Sequence, residues 1–448
     1  MYCNDVTKKT GTRQAVKQSN FVLYFILCIS SIKVIILFNI EPVFLGYAGG
    51  AWLGSDGESY LKGLDAIRED GLFTKSNYMS YYAPGYSLFL LLTSFVSKYY
   101  LLPLVSIIQT VFYAFSIHYL AKQLSVTSIS KVVPLFSVVA MLNPTLSLQS
   151  LQLAYEGVVA SICALVTGLF IKSTYSTNNK SSNYDILFAS LLLGISIWLS
   201  PRMVLPSLGI ILFWIFIINK NKKLIFSLVA LFIILVSQFS IMARNYIANG
   251  TFTSQTSIGT LALMGAGPNA TGTYMEKSSG IICNTFGLSD SEKTSKQLSC
   301  AATWYLNNPV DGAELLWKKS YYLWSPWFGP LQGGTNARNP YLNFHPVKAN
   351  IKTQEQVDIV FGIPGQLVSW FWILGGWFFL ISGLKCLWKS DDLSRKISVI
   401  SVILIFSNWA TVLIVQGDNR YRIPLMTISI LVQVVGWKNF TLRVKKLL

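Results

Sequence analysis

Seven side chains stand out by type and surroundings. Three are carboxylates: Asp56 and Glu58 in SDGESY, and Glu156 in LAYEGVVAS. Four are arginines: Arg202 in LSPR, Arg244 in ARNY, and Arg420 and Arg422 in GDNRYR. A carboxylate can take the proton of an attacking hydroxyl as a general base. A guanidinium presents a planar fork of donors that suits phosphate, and it stabilises a phosphate leaving group. Together these groups suit transfer of a group from phosphate to a hydroxyl. The bland alternative is that each arginine snorkels to lipid phosphates or caps a helix C-terminus. Residues 54–86, with Asp56, Glu58, Asp65, Glu69 and Asp70, would then be a solvated loop. The gathering of both charge types at one membrane face favours the site.

Composition defines what must position them. Of 448 residues, 52% are hydrophobic and 12% charged, about half the charged fraction of a soluble domain. Mean hydropathy is +0.48, and several apolar runs reach the ~20 residues that cross a bilayer. The chain is expected to be an all-α polytopic membrane protein. Its net charge of +17 would suggest nucleic acid in a soluble protein. Here the placement of charge among loops is the test, and no nucleic-acid partner is expected. The tail before residue 21 is polar and basic, and no cleavage site follows the first apolar run, so residues 21–40 read as an uncleaved span.

The apolar run 86–97 is too short to cross and reads as interfacial or re-entrant. With that single assumption, spans near 21–40, 101–120, 132–148, 156–171, 186–199, 203–218, 224–243, 366–387, 397–415 and 423–437 alternate. They place Lys8 and Lys9, Lys122 and Lys131, Lys172, Lys220 to Lys223, Lys389 and Arg395 on one side. That side is the cytoplasm by the positive-inside rule. About ten transmembrane helices result, in a plasma (inner) membrane, with both termini inside. Most acids then fall outside, among them Asp56, Glu58, Glu156, Glu276, Asp290, Asp358 and Asp418, so the functional face is exoplasmic. Lys33 inside the first span is expected to snorkel or to face a neighbour.

The outer segment 244–355 reads as irregular loop early, and late (residues 317–328) as an aromatic belt at headgroup depth. Cys283 and Cys300 lie in it, where an oxidising compartment would permit a disulfide; Cys3, Cys28, Cys163 and Cys386 lie in or near spans or in the cytoplasm. With only His118 and His345, and no Cys/His cluster, zinc chemistry and His-based triads are excluded.

These motifs, in order, resemble GT-C fold glycosyltransferases: the protein O-mannosyltransferases, the aminoarabinose transferases of lipid A, and bacterial relatives. SDGESY with YYAPGYSLFLLLTSF resembles their first outer loop, although Ala83-Pro84-Gly85-Tyr86-Ser87 stands where many have Pro-Pro-Gly-Tyr-Pro. LAYEGVVAS resembles their Ser-Glu-Pro step, and LSPRMVLP an outer Arg-Pro turn with its order inverted. The ARNY…GPNATGTY stretch, NNPVDGAELLWKKSYYLWSP and DNRYRIPLM complete the series. The resemblance implies a GT-C-like bundle with juxtamembrane helices in the first outer loop and a long exoplasmic segment. It implies a polyprenyl-phosphate sugar donor, with Asp56 as base and Glu58 beside it. Arg244, Arg420 and Lys318 or Lys319 would hold the phosphate, and Tyr60 and Tyr86 would line the site. Glu156 takes a family carboxylate position, and Arg202 and Arg422 complete the outer cations.

The chain divides into a tail (1–20), an N-terminal catalytic membrane module (21–243, first outer loop 41–100), an exoplasmic segment (244–365) and C-terminal helices (366–448). The expected activity is inverting transfer of a sugar to a hydroxyl of a lipid, glycan or protein acceptor at the bilayer. No cofactor is expected; a divalent metal in the acidic loop remains an alternative, while the resemblance implies a metal-independent enzyme. A surface-glycan polymerase or ligase, or a lipid-linked-sugar transporter, is the alternative function. A transporter calls for charges deep in spans and pseudo-symmetric halves, and the sequence shows neither.

Overall fold

The computed structural model describes residues 12–38, 43–44, 46–51, 54–175, 179–218, 224–273, 279–324 and 363–447. Cys3, Lys8, Lys9, Lys220, Lys222, Lys223, Glu276, residues 325–328 of the aromatic stretch, His345 and Asp358 lie outside the described residues.

Helix α1 covers Thr12–Leu37. A two-stranded antiparallel ribbon follows, β1 (Val43–Phe44) with β2 (Tyr47–Ala48). Three short helices come next: α2 (Gly54–Asp70), α3 (Asn77–Tyr81) and α4 (Gly85–Ser94). The ten-residue α4 is too short to cross a bilayer, as the sequence required. After α5 (Leu101–Ser125), α6 (Val133–Leu142) and α7 (Pro144–Leu148) with their flanking 3₁₀ turns form two arms bent by 58°. Asn143 at the bend caps α7 by accepting a hydrogen bond from Leu146 N at 2.8 Å.

Four helices follow: α8 (Glu156–Tyr175), α9 (Asn179–Leu199), α10 (Val204–Ile218) and α11 (Leu224–Asn249). The next segment holds α12 (Ser257–Met264), α13 (Asp290–Asn307) and α14 (Pro309–Trp324). The chain ends with α15 (Ile363–Trp388), α16 (Asp392–Ile414) and α17 (Ile423–Leu447).

Among the described residues, eight helices are long and apolar enough to cross a membrane: α1, α5, α8, α9, α11, α15, α16 and α17. The bent α6–α7 pair would be a ninth, and α10 with its preceding turn is a shorter apolar helix. The protein is therefore an all-α polytopic membrane protein. Each of the ten expected apolar segments contains helix among the described residues, but eight, or nine with the bent pair, are long enough to cross; 132–148 is bent at the extended Asn143.

Helix α8 is the hub. It packs on α5, α9 and α17 and is buried along nearly its whole length. Its Gly157, Ala160, Ser161, Ala164 and Gly168 supply the small side chains that let helices approach closely in a bilayer. A Cβ on Gly168 would lie 2.7 Å from the Tyr119 ring. Helix α11, by contrast, exposes Leu228, Phe232 and Phe239, the pattern of a lipid-facing helix. The buried Lys33 of α1 faces neighbours: its Nζ donates to Ser150 Oγ at 3.0 Å and lies 4.7 Å from the Tyr113 ring. At the far end of the bundle, Ser128 Oγ donates to Asp391 Oδ1 at 2.9 Å. That contact joins two of the loops the charge pattern assigned to one side.

Candidate active site

The acid-bearing stretch begins with the amphipathic helix α2, one of the helices expected in the first outer loop. Asp56, Tyr60, Leu64 and Ile67 follow helical spacing, and the three apolar side chains of this face are buried. Successive helical residues turn by about 100°, so Glu58 points roughly opposite to Asp56. It is exposed and ion-paired to Lys62 at 2.7 Å. The structure thus does not bring Glu58 together with Asp56.

Asp56 sits in the first turn of α2, and Glu156 in the first turn of α8. Arg420 belongs to the 3₁₀ turn Asn419–Arg422 leading into α17, and Arg202 to the turn Pro201–Met203 leading into α10. Four helix N-termini therefore meet at one end of the bundle. The positive ends of helix dipoles favour negative charge there, both carboxylate and phosphate.

Arg420 bridges both acids: Nη1 pairs with Asp56 Oδ2, and Nε with Glu156 Oε1. Glu156 is 1% exposed at its side chain, Arg420 12% and Asp56 17%, so Asp56 is the carboxylate open to a ligand. Its other oxygen, Oδ1, accepts from the Tyr82 hydroxyl at 3.3 Å. Burial, and next the Asp56 charge, push the Tyr82 phenol well above its ordinary value, so it remains a donor. The same two causes, in the same order, raise Tyr60. Asp418 Oδ1 holds the turn by accepting from Arg420 N at 2.9 Å.

Arg202 is the second cation. Its guanidinium lies 3.8 Å from the centre of the Tyr421 ring, and Nη2 donates to Tyr155 Oη at 2.6 Å. Its Nη1 is buried without a protein partner among the described residues. Gln416 Nε2 steadies the Tyr421 hydroxyl at 3.1 Å.

A cavity of about 600 Å³ opens on Asp56, Arg202 and Arg420. Val204, Leu205, Ile258, Leu261, Ile414 and Val415 make one part of its wall apolar. Leu205, Ile258 and Ile414 are also exposed on the bundle surface. Gln238, Ser254, Gln255, Ser257 and Thr411 make another part polar. The turn bearing Ser254 and Gln255 is shaped by Asn245, whose Nδ2 donates to Thr253 O at 2.7 Å and Ser254 O at 3.2 Å.

Arg244 lies at the Asp56 end but does not line this cavity. Nε donates to Leu72 O at 2.9 Å, Nη2 to Thr74 O at 2.7 Å, and Nη1 to Ser80 Oγ at 3.2 Å and Asn245 Oδ1 at 2.9 Å. It clasps the chain between α2 and α3, and its donors are spent on carbonyls rather than on a phosphate. Lys319 is fully buried, donates to Leu413 O at 2.8 Å, and is held by that burial at about 7. Lys318 is exposed and paired with Glu314 at 2.7 Å. Arg422 Nη1 donates to Trp324 O at 2.7 Å, tying α14 to the turn. None of these four lines the cavity. Tyr60 and Tyr86 are buried behind Asp56, with ring centres 4.9 Å apart and the Tyr86 hydroxyl on Gln109 Oε1 at 3.0 Å; they support the site rather than face it.

Tyr82, Tyr155 and Tyr421 were not singled out by sequence. Two of them adjoin marked charges, Tyr155 before Glu156 and Tyr421 between the two arginines, which is the signal that could have found them. Cys283 and Cys300 form a disulfide with Cα atoms 6.1 Å apart.

The fold resembles two solved structures. One is the crystal structure of the Archaeoglobus fulgidus oligosaccharyltransferase in complex with zinc and sulfate, at TM-score 0.44 and 11% identity, covering 93% of this chain and 48% of that one. The other is the archaeal oligosaccharyltransferase AglB from Archaeoglobus fulgidus in complex with an inhibitory peptide and a dolichol-phosphate, at TM-score 0.42 and 12% identity, covering 93% and 50%. The chain spans about half the length of these structures. No family model and no curated protein matches the sequence. Among the described residues no three His, Cys, Asp or Glu side chains gather as metal ligands. The two site carboxylates both pair with Arg420.

Proposed function

We propose that this chain is an integral-membrane glycosyltransferase that moves a sugar from a polyprenyl-phosphate donor to an acceptor hydroxyl at the exoplasmic face. The observation that carries the reading is Asp56 and two arginines opening on one cavity that is part apolar and part polar. The apolar wall suits a hydrocarbon chain entering from lipid. Arg202, through Nη1, and Arg420 hold the phosphate oxygens. The acceptor hydroxyl takes the place of the Tyr82 hydroxyl on Asp56 Oδ1 and gives up its proton there. Its oxygen bonds to the anomeric carbon from the face opposite the phosphate, the bond to phosphate breaks, and the configuration inverts. Polyprenyl phosphate leaves with its new charge facing both guanidinium groups. Arg420 holds Asp56 in place through their ion pair, and Glu156 fixes Arg420 from behind.

The test is release of polyprenyl phosphate from a panel of polyprenyl-phosphate hexoses by the full chain in lipid nanodiscs, with oligosaccharides and Ser/Thr-containing peptides supplied as hydroxyl acceptors. Asp56→Asn is expected to slow release by about 10²-fold or more, the usual worth of a general base. Unchanged turnover in this variant rejects the assignment.

A further inference from the structure

A second cavity, of about 360 Å³, lies beside the first and shares Tyr81 and Tyr82 with it. From this cavity we infer that the acceptor is a carbohydrate, bound by its rings and hydroxyls on the far side of the Tyr81–Tyr82 wall; the inference rests on the transferase reading.

Four residues of α13, Asp290, Lys293, Thr294 and Gln297, line the cavity. Their spacing of three, four and seven residues puts them on one helix face. The face is held in place twice. Thr294 Oγ1 donates to Thr256 O at 3.3 Å, and Thr260 Oγ1 to Gln297 Oε1 at 3.2 Å. Gly259 allows this contact, since a Cβ there would lie 2.7 Å from Thr294 O. The Cys283–Cys300 bond ties the preceding strip of chain to the same helix.

The opposite wall is aromatic: Tyr78, Tyr81 and Tyr82. Tyr78 is 40% exposed, and Lys62 Nζ lies 5.5 Å from its ring centre. No aliphatic side chain lines this cavity, in contrast to its neighbour, so a lipid acceptor finds no surface to bury against. One acid and one amine balance in charge, which disfavours a phosphate or a carboxylate ligand. What remains is chemistry for a neutral polyol: flat rings against C–H faces, with hydroxyl, amide and charged groups for its hydroxyls. The volume is at the small end of ligand pockets, about 300–1,000 Å³, and suits a short saccharide end. A strand-adding or helical peptide would use a sheet edge or an apolar groove, and neither is present among the cavity's residues. The Tyr82 hydroxyl, 3.3 Å from Asp56 Oδ1, stands where a saccharide hydroxyl would pass from this cavity to the base.

The test uses the full chain in lipid nanodiscs, with no donor present, against an array of neutral oligosaccharides and an array of Ser/Thr-containing peptides. Wild type is expected to retain oligosaccharides and no peptides, and Tyr78→Ala and Asp290→Asn each to weaken retention by about tenfold. In the separate donor-release assay, Asp56→Asn is expected to lose turnover. Peptide retention, no oligosaccharide retention, or retention equal in wild type and both cavity variants overturns the inference. If oligosaccharides bind but donor turnover does not depend on Asp56, the transferase reading alone fails. If turnover depends on Asp56 but no oligosaccharide binds, the acceptor inference alone fails.

Discussion

A guanidinium between two carboxylates makes Arg420 the most consequential side chain of the site. Removing it leaves Glu156 buried beside Asp56 without a counter-charge, which costs about 3–5 kcal/mol for a buried pair. Arg420→Gln is therefore expected to lower thermal stability in nanodiscs, followed by tryptophan fluorescence. Glu156→Gln/Arg420→Gln should recover much of that loss without restoring turnover, because the proposed phosphate contact of Arg420 stays absent. Stability no better in the double variant than in Arg420→Gln would show that the pair is not a unit. Lys319 gives a pH signature. Its amine is held at about 7 by burial, against about 10.4 in the unfolded chain. Between those values the unfolded chain binds more protons, so stability climbs as pH rises through the window. Lys319→Met should flatten that part of the stability profile; an undiminished slope would mean the amine is not buried as described.

The elements act as clamps around the turns that carry the charges. Gly265 follows α12 and lets it reach the turn after α16: a Cβ there would lie 1.5 Å from Val415 O. Gly417 N donates to Gly272 O at 2.7 Å beside it. Gly265→Ala must push the two apart and is expected to cost about 1–3 kcal/mol and to displace the Gln416–Arg420 turn. A melting temperature and turnover equal to wild type would refute that coupling. The disulfide acts more locally. A closed loop of this length, with Cys283 and Cys300 17 positions apart, is worth about 3 kcal/mol in the chain-entropy account. Reductant should speed proteolysis near α13 while the membrane bundle stays intact.

For the whole molecule, the helix N-termini of α2, α8, α10 and α17 lie at one end, and the loops joined by Ser128 and Asp391 lie at the other. If the first end is exoplasmic, a membrane-impermeant maleimide should label Lys62→Cys from outside right-side-out vesicles, in a background with Cys28 replaced. Lys389→Cys should be labelled only after permeabilisation. The reverse pattern would invert the topology and the access of any exoplasmic acceptor.

The sequence by itself marked the apolar helices, because long apolar runs are one-dimensional signals set by the bilayer. It also marked Asp56, Glu156, Arg202 and Arg420, since a charge next to a span carries a cost wherever the chain folds. Which charges meet was decided only by tertiary structure. Glu58 lies two residues from Asp56 yet faces away, because helix α2 turns it about 200°. Arg244 and Lys319 carry the same charge as Arg420 but are spent on backbone carbonyls. Tyr82, Tyr155 and Tyr421 become site residues only when helices far apart in the chain bring their ends together, a distance no local pattern encodes.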